Sequence, residues 1–135
     1  MKMGNNNKIS KLDDFYSDVI VTAVEGGIGY WSRCSEYVHG YGDGFGDREV
    51  VATVMVHELN DECEDNYKAG VKVTTTEIAN AMRRIADLTQ PLEYALPEWR
   101  KRMARALREK DSGDIDAGDA DSIMQFTVLG VITYG

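Results

Sequence analysis

Residues 24–32 read Val-Glu-Gly-Gly-Ile-Gly-Tyr-Trp-Ser, and this stretch decides the fold because it separates helical from extended sequence. Before it, apolar residues recur at helical spacing over residues 12–23, and Ser10 stands where a helix cap is expected. The adjacent Gly26 and Gly27 should end that helix, because glycine readily adopts the backbone angles of a helix terminus. The sequence therefore predicts an amphipathic first helix that stops at a glycine pair.

After the glycines, the pattern changes to that of a β-hairpin followed by more helices. Residues 28–39 and 48–59 are typical of two hairpin arms, and the second arm is apolar on both alternating faces. We also expect a strand at 71–73, followed by a helix that starts near Thr75 or Thr76. A further helix should have Pro97 in its first turn, and Asp119 or Asp121 should cap a final apolar element. The predicted fold is a single α+β domain over residues 10–135, with a small hairpin-based sheet packed with about four helices, after a disordered segment 1–9.

Charge and cysteine usage limit the classes of partner. The chain has 135 residues and a formal net charge of −8, so direct nucleic-acid binding is not expected, because neutralising phosphates requires a basic surface. Cys34 and Cys63 form neither a disulfide-rich nor a CxxC pattern, which favours a reducing compartment. No stretch resembles a signal peptide, and no apolar run approaches the roughly 20 residues that span a bilayer. We therefore expect a cytoplasmic protein without a membrane partner.

The 24–32 stretch also carries the best candidate for ligand recognition. Its glycines allow close approach of the backbone, Tyr30 and Trp31 offer aromatic faces, and Glu25 offers a carboxylate for polar contacts. If residues 28–39 form a strand, the two aromatic side chains point to opposite faces, so only one is available to a ligand. The stretch is not a dinucleotide-binding loop, because its glycines follow a helix instead of opening one.

A second set of residues offers positive charge and hydrogen-bond donors for an anion. Thr75 and Thr76 open the second predicted helix, and the free N–H groups of a helix N-terminus bind anions readily. Arg83 and Arg84 lie two turns further along that helix. Together with stacking in the 24–32 stretch, these residues predict a site for a small anionic, nucleotide-like ligand. Helix capping by the threonines and core packing by the aromatic residues are the structural alternatives.

No residue pattern predicts catalysis, a metal or a cofactor. The five aspartates of residues 111–121 fail the calcium-loop pattern, because Asp119 stands where the loop requires glycine and Gln125 where it requires glutamate. The two histidines lack the spacing of a zinc site. A nucleophile pair of Cys34 and His57 across the hairpin stays open as a further alternative. We therefore expect a non-enzymatic protein with no catalytic residue, no metal and no cofactor.

Three blocks of the chain form a recognisable combination: Thr22-Ala-Val-Glu-Gly-Gly-Ile-Gly-Tyr-Trp31, Val73-Thr-Thr-Thr-Glu-Ile-Ala-Asn-Ala-Met-Arg-Arg84, and Gly113-Asp-Ile-Asp-Ala-Gly-Asp-Ala-Asp-Ser122 with the ending Gly130-Val-Ile-Thr-Tyr-Gly135. This combination resembles a family of small, mostly uncharacterised proteins encoded by bacteriophages and prophages. The resemblance covers most of the chain after residue 10 and brings no established catalytic residues. It implies a phage gene product in a bacterial cytoplasm, where small phage proteins often counter host defence.

Two functional hypotheses follow from the residues and the resemblance. The first is a binding protein that sequesters a small anionic, nucleotide-like defence signal. It is expected to be a homo-oligomer, because segment 50–56, which is apolar on both faces, and the terminal apolar segment would otherwise expose apolar side chains to water. The alternative is an inhibitor whose acidic surface, residues 58–65 and 111–121, occupies a basic site on a host nuclease or defence complex. An enzyme that degrades the signal is disfavoured, because neither a metal cluster nor a catalytic triad stands out.

Overall fold

The computed structural model describes residues 9–40, 50–60 and 66–135, and a three-stranded antiparallel sheet organises these residues. Strand β1 (Ser32–Gly40) pairs with β2 (Val50–Glu58), and β2 pairs with the short β3 (Val71–Val73). The described residues do not include most of the segment 1–9 that was predicted to be disordered. They also leave out Cys63 and most of the acidic run 58–65.

Four α-helices accompany the sheet in the described residues: α1 (Lys11–Gly26), α2 (Thr75–Ala86), α3 (Pro97–Glu109) and α4 (Ala117–Leu129), with a short 3-10 helix (Ser112–Asp114) before α4. This element order confirms the predicted α+β class and the predicted number of helices. Among these helices, none has both the length and the apolar character that crossing a membrane requires.

The hydrophobic core lies between the helices and one face of the sheet. Alternate residues of β2 are fully buried on that face: Ala52, Val54 and Val56. Helix α1 contacts β2, α2 and α4, and therefore occupies the centre of the core. The largest buried side chains come from several elements: Phe15, Ile20, Trp31, Met82, Met103 and Ile123. The other face of β2, which includes Val51 and Met55, is only half-buried.

The ends of α1 follow the predicted capping pattern. The Ser10 hydroxyl accepts a hydrogen bond from the Asp13 N–H at 3.1 Å and so satisfies one free donor of the first turn. The helix ends at Gly26, and the Gly27 N–H donates to the Ala23 carbonyl at 3.0 Å. The glycine stop is therefore confirmed.

The start of α4 differs from the prediction. Its N-cap is Asp116, whose carboxylate accepts from the Asp119 N–H at 2.8 Å, while the Asp119 carboxylate accepts from the Asp116 N–H at 3.1 Å. Asp119 is thus the third residue of a reciprocal capping box and not the cap itself. Asp121 is also not a cap, because it lies in the helix and is 9% exposed. The predicted cap was wrong because several aspartates share one short segment.

Candidate functional site

Residues 27–31 form a turn, so the first hairpin arm begins later than predicted. The Ile28 N–H donates to the Ala23 carbonyl at 3.0 Å, which continues the hydrogen bonding of the α1 terminus into the turn. The Ser32 N–H and hydroxyl then both donate to the Ile28 carbonyl, at 3.1 and 2.7 Å. These local bonds define the turn, and β1 begins at Ser32.

The two aromatic side chains of the turn differ in exposure. Tyr30 is 56% exposed and Trp31 is 0% exposed. This division into one core residue and one accessible residue was predicted, although the cause is a turn and not a strand.

Trp31 is fully engaged by other parts of the chain. Its Nε1 donates to Asp121 Oδ1 at 2.8 Å, and its ring stacks on Tyr134 with centroids 5.6 Å apart and an interplanar angle of 8°. An aromatic ring of the protein itself therefore occupies the stacking position beside Trp31. The structure assigns this predicted site residue to the core.

Tyr30 presents its ring to solvent while its hydroxyl is held by the protein. The hydroxyl donates to Asp121 Oδ2 at 2.6 Å, and the ring meets Tyr134 edge-on at 6.4 Å. Burial of the hydroxyl and its hydrogen bond to Asp121 raise the pKa of Tyr30 to about 12. The ring is consequently a fixed aromatic surface with a neutral hydroxyl.

Asp121 and Gln125, which the sequence reasoning did not select, hold this turn against residues 133–134. The Gln125 amide nitrogen donates to Asp121 Oδ1 at 3.0 Å and to the Tyr134 carbonyl at 3.1 Å. Its oxygen accepts from the N–H groups of Thr133 and Tyr134 at 2.8 and 2.7 Å. The sequence indicated this role by two polar residues, Asp121 and Gln125, that are four positions apart at the start of an otherwise mostly apolar segment.

An open depression of about 340 Å³ lies beside the exposed Tyr30 ring. It is lined by Val24, Glu25, Gly26, Gly27, Gly29 and Tyr30. Glu25 accepts a hydrogen bond from the Tyr37 hydroxyl at 3.0 Å and lies 3.8 Å from His39 Nε2. The predicted residues Glu25, Gly26, Gly27 and Tyr30 therefore meet around one depression.

Gly27 also has a packing role that the sequence reasoning missed. A Cβ at this position would lie 2.8 Å from the Ala117 carbonyl oxygen and 3.3 Å from the Asp121 Cβ. The close approach that this glycine permits is therefore to the first turn of α4. At Gly29, by contrast, a Cβ would meet nothing within 4 Å.

The threonines predicted to bind an anion lie at a helix start that the protein caps itself. The N-cap is Thr74, whose hydroxyl accepts from the Thr76 N–H at 3.2 Å, while Glu77 accepts from the Thr74 N–H at 2.7 Å. Burial raises the pKa of Glu77, but the hydrogen bonds from Thr74 outweigh it and hold the net pKa below its usual value. A carboxylate of the chain thus stands at the N-terminus of α2, beside Thr75 and Thr76, where an anion was expected.

Arg83 and Arg84 lie apart from the depression within one chain. Arg83 bonds to Asn80 and acts electrostatically on Tyr16 of α1, while Arg84 donates to the Pro91 carbonyl at 2.8 Å. Tyr16 precedes Glu25 by nine residues, which corresponds to about 14 Å along the helix axis. The structure therefore does not bring the predicted arginines together with the aromatic part of the site.

The basic segment 100–110 and the acidic segment 111–121 are joined by an ion pair between half-exposed Arg102 and buried Asp119. The two terminal nitrogens of the Arg102 guanidinium donate to the Asp119 carboxylate, at 2.7 and 2.8 Å, and Trp99 Nε1 donates to it at 3.0 Å. Burial raises the pKa of Asp119, but the Arg102 bonds, the Asp116 N–H and Trp99 outweigh it and leave the net pKa lowered. These side-chain bonds link α3 to the first turn of α4.

Comparisons with known proteins do not assign this site. No protein-family profile matches the chain, and neither a curated protein nor a solved structure shows significant similarity to it. The resemblance to phage proteins stays a prediction.

Proposed function

We propose that this protein binds a small, planar, nucleotide-like ligand by stacking it on Tyr30, in the depression between the end of α1 and the start of β1. The observation that carries the proposal is the half-exposed Tyr30 ring, whose hydroxyl is fixed by Asp121 at 2.6 Å. A ring held in place loses little conformational entropy when a ligand stacks on it. Stacking of one base on an aromatic ring contributes roughly 1–3 kcal/mol.

The polar wall of the depression favours ligand groups that donate hydrogen bonds. Glu25 is exposed and its carboxylate is an acceptor, which suits the amino group of a base or the hydroxyl group of a sugar. Glu25 and Asp121 also make this region acidic. The phosphate group of a nucleotide is therefore expected to lie outside the depression, where basic side chains from another part of the assembly would bind it.

A second copy of the chain is the proposed source of that positive charge. Arg83 is exposed on α2, bonds to Asn80 and does not line the depression beside Tyr30. Exposed Val50 and half-buried Val51 at the start of β2 support association of copies. α4 gives less support than the sequence suggested, because much of its apolar surface is already buried in the core.

The proposed biological role is sequestration of a defence signal in an infected bacterial cell. This role depends on the resemblance to phage proteins and on the binding geometry, with no catalytic group in the depression required. Sequestration predicts that a bound ligand is recovered chemically unchanged.

Thermal-shift screening followed by calorimetry tests ligand binding directly. The panel consists of cyclic dinucleotides and cyclic ADP-ribose isomers, and a ligand at about 100 times its Kd should stabilise the fold by about 2.7 kcal/mol. Tyr30→Ala should weaken binding about 10- to 100-fold, in line with the loss of one stacking contact. Tyr94→Ala is the matched control, because Tyr94 is 77% exposed and does not line the depression.

Two outcomes separate this proposal from its competitors. A folded sample that shows no shift with any member of the panel would remove its support. Recovery of the intact ligand after heat denaturation distinguishes sequestration from hydrolysis.

A second candidate function is inhibition of a protein through an acidic surface. The carboxylate oxygens of Glu109, Asp111 and Asp114 lie within 4.8 Å of one another, which concentrates negative charge suited to a basic partner. Asp116 and Asp119 are poor test positions, because both hold the start of α4. Asp111→Asn combined with Asp114→Asn should abolish counter-defence in a phage plating assay if this function is correct, and should leave it unchanged if ligand sequestration is correct.

A further inference from the structure

A serine and a histidine meet on the open face of the sheet, opposite to the face that packs on the helices. Ser35 Oγ lies 2.9 Å from His57 Nε2, and both side chains are partly exposed. Neighbouring Cys34 packs against the core instead, and burial raises the pKa of its thiol. The nucleophile partner that the sequence offered for His57 is therefore replaced by the next residue along the strand, because successive side chains point to opposite faces.

The second ring nitrogen fixes the roles of the two partners. His57 Nδ1 lies 3.2 Å from the Lys68 carbonyl oxygen, which can only accept a hydrogen bond. Nδ1 therefore carries the proton, and Nε2 presents its lone pair to the Ser35 hydroxyl. A nucleophile bonded to a base that is oriented by a third group is the arrangement required for an activated serine.

The histidine ring is positioned by the segment that precedes β3. A Cβ on Gly70 would lie 2.8 Å from His57 Cε1 and 2.5 Å from Met55 Cγ, so the backbone passes very close to the ring. The segment is tied to β2 by the Lys68 N–H, which donates to the Glu58 carbonyl at 2.8 Å. These contacts limit the ring to the orientation that faces Ser35.

The backbone directly after Ser35 is irregular. The pairing with β2 passes from Ser35–Met55 to Val38–Thr53, so Glu36 and Tyr37 stand opposite a single residue. Glu36 has a positive φ of 50°, which is unusual for a residue other than glycine. Such bulges remove backbone groups from the ladder, re-aim side chains and recur beside active sites.

Two basic residues lie on the same face and favour an anionic substrate. Arg33 stands opposite His57 in the strand register, and its guanidinium lies 5.8 Å from the centre of the Tyr67 ring. Lys72 stands opposite Met55, which is itself opposite Ser35. Both basic residues are exposed. Their positions in the strand register place Arg33 of β1 and Lys72 of β3 on either side of the Ser35–His57 pair.

We propose that Ser35 and His57 form a nucleophile–base pair that accepts an acyl group from small anionic esters. Ser35 Oγ bonds to the ester carbonyl carbon while its proton passes to His57 Nε2. The carbon–oxygen bond to the leaving group then breaks, and the leaving alcohol takes the proton from His57. Water attacks the acyl-serine with His57 again as base, releasing the carboxylic acid and restoring Ser35. This activity is independent of ligand binding at Tyr30.

Acylation of the protein by para-nitrophenyl esters tests the proposal. Intact-mass and peptide mass spectrometry should find one acyl adduct on the peptide that contains Ser35, with para-nitrophenyl hemisuccinate reacting faster than para-nitrophenyl acetate after correction for hydrolysis in buffer. Ser35→Ala should abolish this adduct. His57→Gln should slow it about 100-fold or more, in line with the loss of a general base. Ser112→Ala is the matched control, because the Ser112 hydroxyl bonds to Asp18 and not to a histidine.

Circular dichroism separates loss of the base from loss of the fold. His57→Gln should keep the wild-type spectrum and unfolding temperature while its acylation rate falls. Absence of a Ser35 adduct in the wild type, or an unchanged rate in His57→Gln, overturns the nucleophile pair. Equal corrected rates for the two esters overturn the preference for anionic substrates.

Discussion

Asp121 receives hydrogen bonds from three neutral donors, which belong to Tyr30, Trp31 and Gln125. Two of these donors come from a turn that lies about 90 residues earlier in the chain. A carboxylate that is 9% exposed needs such partners, because an unpaired buried charge is costly. One side chain therefore determines both the burial of Trp31 and the orientation of Tyr30.

The hydroxyl of Tyr30 should titrate far above an ordinary tyrosine. Its pKa is raised to about 12 from the usual 10.0, because the hydroxyl is buried and bonded to Asp121. The unfolded chain loses this proton near pH 10, so between the two values the folded state binds more protons and the unfolding free energy falls as pH rises. Near-ultraviolet absorbance titration should show late-ionising tyrosines, and Tyr30→Phe should remove one of them, while Tyr16, whose pKa is also raised by burial, still ionises late.

Asp121→Asn provides the complementary measurement. Removal of the negative charge should move the pKa of Tyr30 back towards 10, since the ionised tyrosine then no longer faces a carboxylate. Tyr94→Phe should leave the late-ionising group in place, because Tyr94 is an exposed residue of a different segment. A late step of the same amplitude in Tyr30→Phe and in the wild type would contradict the assignment.

Loss of Arg102 should leave Asp119 buried without its main partner. The Asp119 side chain is 6% exposed and the Arg102 side chain 40%. Loss of the pair therefore destabilises mainly the desolvated carboxylate of Asp119. We expect Arg102→Met to lower the free energy of unfolding by about 2 kcal/mol, as measured by urea denaturation. Arg105→Met is the control on the same helix, because Arg105 is exposed. Equal stability of the two variants would contradict a structural role for the ion pair.

The pH dependence of stability should change in the same variant. Because the pKa of Asp119 is lowered in the folded state, its contribution is present above the usual value of 3.8 and is lost as pH falls below it. Arg102→Met should therefore flatten the acid side of the stability curve.

At the scale of elements, the helix ends show what sequence could and could not predict. Pro97 in the first turn of α3 and the glycine stop of α1 were predictable, because few residue types suit those positions. The end of α2 was not predictable from its own residues. Its carbonyls are capped by Arg100 of α3, whose guanidinium donates to Ile85 and Asp87 at 2.8 and 2.6 Å.

The junction of α1 and α4 provides a matched pair of glycine substitutions. Gly27→Ala should destabilise the protein by about 1–3 kcal/mol, because its Cβ would overlap the Ala117 carbonyl at 2.8 Å. Gly29→Ala should change stability by less than about 0.5 kcal/mol, since a Cβ there meets no atom within 4 Å. Thermal or chemical denaturation measures both, and equal effects would show that the turn does not pack tightly on α4.

At the scale of the whole molecule, charge should prevent direct nucleic-acid binding. The chain carries 23 acidic against 15 basic residues, and Arg102 is already paired with Asp119. Fluorescence anisotropy with labelled duplex DNA should show no binding at physiological salt, where non-specific binders have Kd values of about 10⁻⁴–10⁻⁶ M. Saturable binding that weakens as salt increases would contradict this prediction.

The α+β class and the order of helices and strands were predictable because hydrophobic periodicity is local. The composition of the candidate site was only partly predictable. Glu25, Gly26, Gly27 and Tyr30 are consecutive or nearly so, and they meet because they are neighbours in sequence. Arg83 and Arg84 are not close in sequence to these residues, so no local pattern supported their assignment to the same site. The folded chain places them beside other residues.

The two tryptophans provide separate optical probes of this architecture. Trp31 bonds to Asp121 and stacks on Tyr134, while Trp99 bonds to Asp119 two residues earlier on α4. The emission of Trp31 therefore senses the contact of the turn with α4, and that of Trp99 senses the contact of α3 with the same helix. Single-tryptophan variants would reveal whether the two sides of α4 detach together or in sequence during unfolding, without any added label.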